Sequence, residues 1–180
     1  MMRTILVALV VVTLSAVAAG GATQIAFFAD EVLIVPKDSP AHFRSKEPHG
    51  PAVFDGKFVL TGTYYYGDAE YNDGPEVMLE LTFIPDPSSA ARLPYFKQRG
   101  RPNAVFLTNG AAFANAVISK TTLAALTKKG APRATGRVSI WVDKFKAEVV
   151  CDAPEFNARF VSVYRRAVLV ALAKTPEIGC

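Results

Sequence analysis

The chain has 180 residues, with 20 lysines and arginines against 16 acids and 51% apolar residues. Its formal charge of +4 is a thin basic excess, which argues against the concentrated cationic face of a dedicated nucleic-acid binder. The apolar content excludes a disordered chain, and two cysteines without CxxC spacing indicate neither a dithiol redox centre nor a thiolate zinc site.

Residues 1–22 carry Arg3, an unbroken apolar run from Ile5 to Val12, and small residues at Ala16 and Ala18. That pattern predicts a cleaved secretory signal, with an exported, periplasmic or extracellular product and no transmembrane segment after cleavage. No cysteine follows the apolar run before Cys151, so a lipid-modified N-terminus is not expected. Removing 22 residues from 180 leaves about 158, one domain of ordinary size.

Residues 23–52 form an N-terminal segment and a proline-rich arm. Two apolar clusters, Ile25 to Phe28 and Val32 to Val35, flank Asp30 and Glu31, and the second is β-branched and stopped by Pro36. Residues 36–51 (PKDSPAHFRSKEPHGP) read as a linker or surface-hugging arm. His42, Glu47 and His49 lie there without the spacing of a zinc site on a regular element. No metal or cofactor is expected.

From residue 53 to 180 the chain reads as one domain. In GKFVLTGTYYY, Phe58, Leu60, Gly62, Tyr64 and Tyr66 share one strand face, and Val59, Thr61, Thr63 and Tyr65 share the other. Residues 76–84 alternate likewise, with Val77, Leu79, Leu81 and Phe83 toward the core, before Pro85 and Pro87. The loop between them, DAEYNDG, offers Asp68, Glu70 and Asn72 at the first three ligand positions of a calcium loop. It has Asp73 where glycine is required and Leu79 where a bidentate glutamate is required. It therefore reads as a hairpin loop.

RLPYFKQRGRP interleaves Arg92, Lys97, Arg99 and Arg101 with Tyr95 and Phe96, a combination that suits a polyanion, though a solvated connecting loop explains it as well. Asn109-Gly110 is the strongest two-residue hairpin signal in the chain, and would set Phe106 opposite Phe113. Phe113, Ala116 and Val117 also fit a helix, so residues 111–118 stay open between strand and helix. A helix follows, capped by Ser119 or Thr121 and closed by Gly130. Next comes the strand TGRVSIWVD, with Val138, Ile140 and Val142 inward and Arg137, Ser139, Trp141 and Asp143 outward. A charged connection leads to a last strand, residues 158–165, and the tail RAVLVALAKTPEIGC can continue as strand or turn helical, its alanines and leucines favouring helix. A Cys151–Cys180 disulfide would tie that tail down, stabilising by about 3–4 kcal/mol.

The predicted class is mainly β with one or two helices. The order β-β-β-α-β-β over residues 53–166 resembles the OB-fold, a small five-stranded barrel. The alternatives are a β-sandwich or an α+β sheet. The resemblance is one of topology, and no family motif accompanies it. Tyr65 and Trp141 are the aromatics left on half-polar faces. With Arg99 and Arg101 as anionic contacts they make the candidate binding surface, for an envelope protein or an anionic glycan, with no nucleic acid expected. The alternative is that the apolar N-terminal segment from Ile25 to Val35 packs over both aromatics. No G-x-S-x-G elbow or phosphate-binding glycine loop is present. The expected function is an exported soluble binding module of the cell envelope. The alternatives are an envelope enzyme using scattered carboxylates, such as Asp152 and Glu155, and a purely structural envelope protein.

Overall fold

The computed structural model describes residues 21–27, 31–46, 48, 50–68, 76–128, 131 and 133–173, the stretch 166–173 by its backbone. The chain is mainly β, with three short helices and two sheets among the described residues, an arrangement compatible with a β-sandwich or an α+β sheet. The signal segment, the centre of the acidic loop, Gly130 and Cys180 lie outside the described residues.

A three-stranded sheet is built from β1 (Thr23–Ala26), β2 (Val32–Val35) and β7 (Tyr95–Phe96) in the order β1-β2-β7, antiparallel throughout. The larger sheet contains β3 (His42–Lys46), β4 (Ala52–Asp55), β5 (Phe58–Asp68), β6 (Leu79–Pro85), β8 (Val105–Leu107), β9 (Arg133–Val150) and β10 (Ala153–Ala173). Strand β5 pairs antiparallel with β6 on one side and β9 on the other. Strand β8 lies antiparallel to β6 and parallel to β10, and β10 runs antiparallel along the length of β9. The proline-rich arm is not free-standing, because β3 pairs with β4 and β4 joins β9.

Alternation along β5 does what its sequence dictates. Phe58, Leu60, Tyr64 and Tyr66 are buried, and Val59, Thr61, Thr63 and Tyr65 are half-buried on the outer side. The same rule holds in β9 from Val138 to Val142. There a register shift opposite Ala158, with Lys144 at φ 50°, inserts an extra residue. A bulge of this kind reverses the parity of everything after it. Phe145 and Ala147, at odd positions, are therefore buried where Val138, Ile140 and Val142 had been. The charged stretch that read as a connection is the second half of β9. It turns into β10 through Cys151 and Asp152, at φ 47° and 61°, the geometry of a two-residue hairpin turn.

The core has two aromatic centres. Phe145 stacks on Phe156 at 6.1 Å and meets Phe54 and Phe58 at 5.7 and 6.1 Å. Phe27, just after β1, and Phe96 of β7 extend this cluster, Phe96 reaching Phe156 at 5.9 Å. At the other centre Phe113 lies edge-on to Tyr64 at 5.1 Å and to Phe160 at 5.4 Å. Such pairs contribute about 0.5–1.5 kcal/mol each beyond burial alone. Burial also pushes the Tyr64 and Tyr66 phenols above the usual tyrosine range.

The Asn109-Gly110 hairpin does not form. Gly110 opens helix α2 (Gly110–Val117), and neither Asn109 nor Gly110 has the positive φ that the turn requires. Two contacts override the turn signal. Asn109 uses its amide as a substitute strand, its Nδ2 donating to Phe160 O at 2.9 Å and its Oδ1 accepting from Phe160 N at 2.8 Å. A side chain on Gly110 would come within 3.1 Å of Leu81 Cβ, so glycine serves close packing. Phe113 enters the core instead of facing Phe106. Helix α3 (Lys120–Ala125) begins as expected, with Ser119 Oγ accepting from Thr122 N at 3.1 Å.

Two further expectations are corrected. The tail is not helical through Ala173, because ladder bonding to β9 outweighs the helix propensity of its alanines and leucines. Leu79 is exposed at the rim of β6, ahead of the buried Leu81 and Phe83. The short helix α1 (Pro87–Ala90) follows β6 and locks onto β5, Asp86 N donating to Thr61 O at 2.8 Å and Thr61 N to Ser89 Oγ at 3.1 Å.

Candidate functional site

Trp141 lies outside the core. It is half-buried on the outer face of β9, with Val59 of β5 beside it on one flank and Ser162 of β10 on the other. Tyr164 stands edge-on to it, ring centroids 5.6 Å apart and planes at 81°, and is 49% exposed. Cations attend both rings. Lys57 Nζ is 5.1 Å from the indole centroid, and the Arg165 guanidinium is 5.6 Å from the Tyr164 ring. Cation–π pairs at such exposed sites contribute about 0.5–1 kcal/mol.

Among the described residues, the acids reaching this face are already matched. Arg159 grips Asp143 with two bonds, Nε to Oδ1 at 2.8 Å and Nη2 to Oδ2 at 2.6 Å. That fork holds the Asp143 carboxyl below the usual carboxylate range, and the fields of Lys144 and Lys57 act in the same direction. Arg137 is paired with Asp86. Among the described residues Lys57, Lys144 and Arg165 have no carboxylate partner, so the face is net positive. Hydroxyls complete it, with Thr61 Oγ1 and Ser139 Oγ 2.8 Å apart.

Tyr65 is on the same face but in a different place. Its rung partners are Thr82 and Thr135, both buried, whereas Trp141 is level with Val59. Six residues of strand separate the two, about 20 Å. The N-terminal segment packs through Phe27 on Phe96 of β7, which in turn meets Phe156 at the inner cluster.

Arg99 and Arg101 are engaged elsewhere. Arg99 Nε donates to Glu31 Oε1 at 2.6 Å and its Nη1 to Asp152 O, clamping the small sheet to the β9–β10 turn. That turn is about 30 Å along the strand from Trp141. Arg101 Nη1 donates to Ala91 O, and its guanidinium sits 4.6 Å over the Tyr95 ring. Arg92, 4.0 Å from Asp38, is likewise partnered within the chain, as are Tyr95 and Phe96, and the exposed Lys97 is the cation of that segment left to solvent among the described residues. Cys151 is exposed at the turn and has no disulfide partner among the described residues. The expected bridge to Cys180 lies outside them. His42 is on the exposed strand β3, and Glu47 and His49 lie outside the described residues.

A second feature is an open recess of about 350 Å³ lined by Glu80, Phe106 and Glu155, from β6, β8 and β10. Asn157 Nδ2 donates to Glu155 Oε1 at 2.8 Å and to Glu148 Oε1 at 3.4 Å. Arg133 is buried, donates from Nε to Asp68 O at 3.0 Å, and approaches Glu80 to 3.6 Å. This recess is acidic where the Trp141 face is basic.

Sequence reasoning found Trp141 by parity and missed Tyr164 and Lys57. Uninterrupted alternation from the buried Phe160 places Tyr164 inside, whereas register shifts between Phe160 and Ser162, and between Val163 and Arg165, bring it out. Lys57 precedes β5, and no sequence signal marks its approach to the indole.

Among the described residues no helix is long and apolar enough to cross a membrane. No protein-family model, curated protein or solved structure matches the chain.

Proposed function

We propose that the protein is an exported binding module of the cell envelope, built on an OB-like barrel, which holds its partner on the outer face of β5, β9 and β10 around Trp141 and Tyr164. Export is supported by the charged start, apolar run and small residues of residues 1–22. The barrel reading is supported by the succession of pairings β5–β6, β6–β8, β8–β10, β10–β9 and β9–β5, with α2 and α3 between β8 and β9. That is the strand and helix order the OB-fold uses.

The observation that carries the binding role is the Trp141–Tyr164 pair outside the core. Large aromatics partly exposed on a polar face are the residues that dominate interface energetics. Trp141→Ala is expected to lower retention of the protein on an envelope fraction about 30-fold, the effect of losing a central anchor worth about 2 kcal/mol. The same variant shifts the thermal midpoint by only about 2–4 °C. Unchanged retention contradicts the proposal.

The acidic recess supports a second reading. On an OB-like barrel the second and third strands form the usual ligand face, and β6 and β8 hold those positions. A site lined by Glu80 and Glu155 suits a cationic ligand, so the two faces select opposite charges.

A further inference from the structure

We infer that the partner of the Trp141 face is an acidic polysaccharide, a conclusion that rests on the binding role proposed above. The half-exposed Tyr164 ring supplies apolar area that suits the C–H face of a pyranose, and the indole, edge-on to it at 5.6 Å and 81°, closes one side of that seat. Hydroxyls from Thr61 and Ser139 flank the indole along β5 and β9, as hydroxyl-rich ligands require. Charge then selects among sugars. Lys57 lies over the indole and Arg165 over the tyrosine, so each ring carries a cation over its face, within reach of a bound anion. The nearest acid, Asp143, is neutralised by the Arg159 fork. A neutral chain would leave these cations unused, and a cationic one would be repelled. An acidic protein would satisfy the cations without needing an exposed tyrosine ring beside a hydroxyl pair.

The test uses the protein after signal removal, with polygalacturonate, dextran and polyglutamate as probes in solution at low and high salt. Binding to polygalacturonate alone is expected, weakening as salt rises. Lys57→Glu and Tyr164→Ala should each lower it at least 10-fold without moving the unfolding midpoint by more than a few degrees. Equal binding to polyglutamate reduces the site to charge and overturns the inference, as does equal binding to dextran, which needs no charge. Failure to bind polygalacturonate overturns it outright. In that event the envelope retention of Trp141→Ala separates the two claims, since lost retention keeps the binding face with another ligand and unchanged retention removes both.

Discussion

Replacing Phe145 with alanine lowers the midpoint of thermal unfolding by about 10–15 °C, the consequence of losing about 3–5 kcal/mol from a domain of this size. Phe145 is 0% exposed and its ring meets Phe54, Phe58 and Phe156, so truncation removes contacts from three strands and leaves a cavity none of them can fill alone. The prediction is more than a core substitution. If alternation ran unbroken through β9, Phe145 would share the outer side of Trp141 and its loss would cost little. The bulge at Lys144 is what places it inside. Thermal unfolding of this variant, followed by circular dichroism, measures that parity reversal directly, and a shift under 4 °C would contradict it.

Gly62→Ala is the second large effect, about 3 kcal/mol or roughly 10 °C. Gly62 is on the inner face of β5, where a Cβ would stand 2.1 Å from Ile84 O and 2.8 Å from Phe83 Cε1. A carbonyl of the neighbouring strand cannot rotate away as a flexible side chain can, so β5 and β6 must separate. The residue after it, Thr63, looks outward, and Thr63→Ala is expected to stay within about 1 kcal/mol. Chemical denaturation of both variants gives the comparison. Equal losses would mean that the close approach of β6 to Gly62 does not constrain the fold.

These two positions show what the sequence carries and what it hides. Period-two alternation names the buried residues of β5 from Phe58 to Tyr66 and of β9 from Val138 to Val142, because nothing interrupts either run. It fails where an extra residue enters. Lys144 reverses β9, and the shifts beside Val161 and Tyr164 do the same in β10. The hairpin joining them was illegible for a different reason. Its turn residues, Cys151 and Asp152, are not the Asn-Gly that favours positive φ. Conversely a real Asn-Gly pair misled, since Asn109 spends its amide on Phe160 and Gly110 its small size on Leu81. Helix α3 was readable because its cap is local, Ser119 to Thr122.

The candidate site divides in the same way. Trp141 was legible as an aromatic of outward parity, a property of its own strand. Its companions Tyr164 and Lys57 come from other segments and needed the register of β5, β9 and β10 to be known. Arg99 and Arg101 looked like free cations because composition cannot reveal that Glu31, two backbone carbonyls and Tyr95 already hold them.

Trp141 is the only tryptophan of the chain, so its fluorescence reports on this face without any substitution. The decisive measurement compares quenching by iodide and by caesium at equal, low ionic strength. A half-buried indole beside Lys57, on a surface whose acids are paired, predicts clear quenching by both ions with iodide the more effective, because the local field concentrates anions. An indole shielded from both ions would return Trp141 to the interior. Stronger quenching by caesium would make the face acidic, and either result would contradict a basic aromatic surface built for an anionic partner.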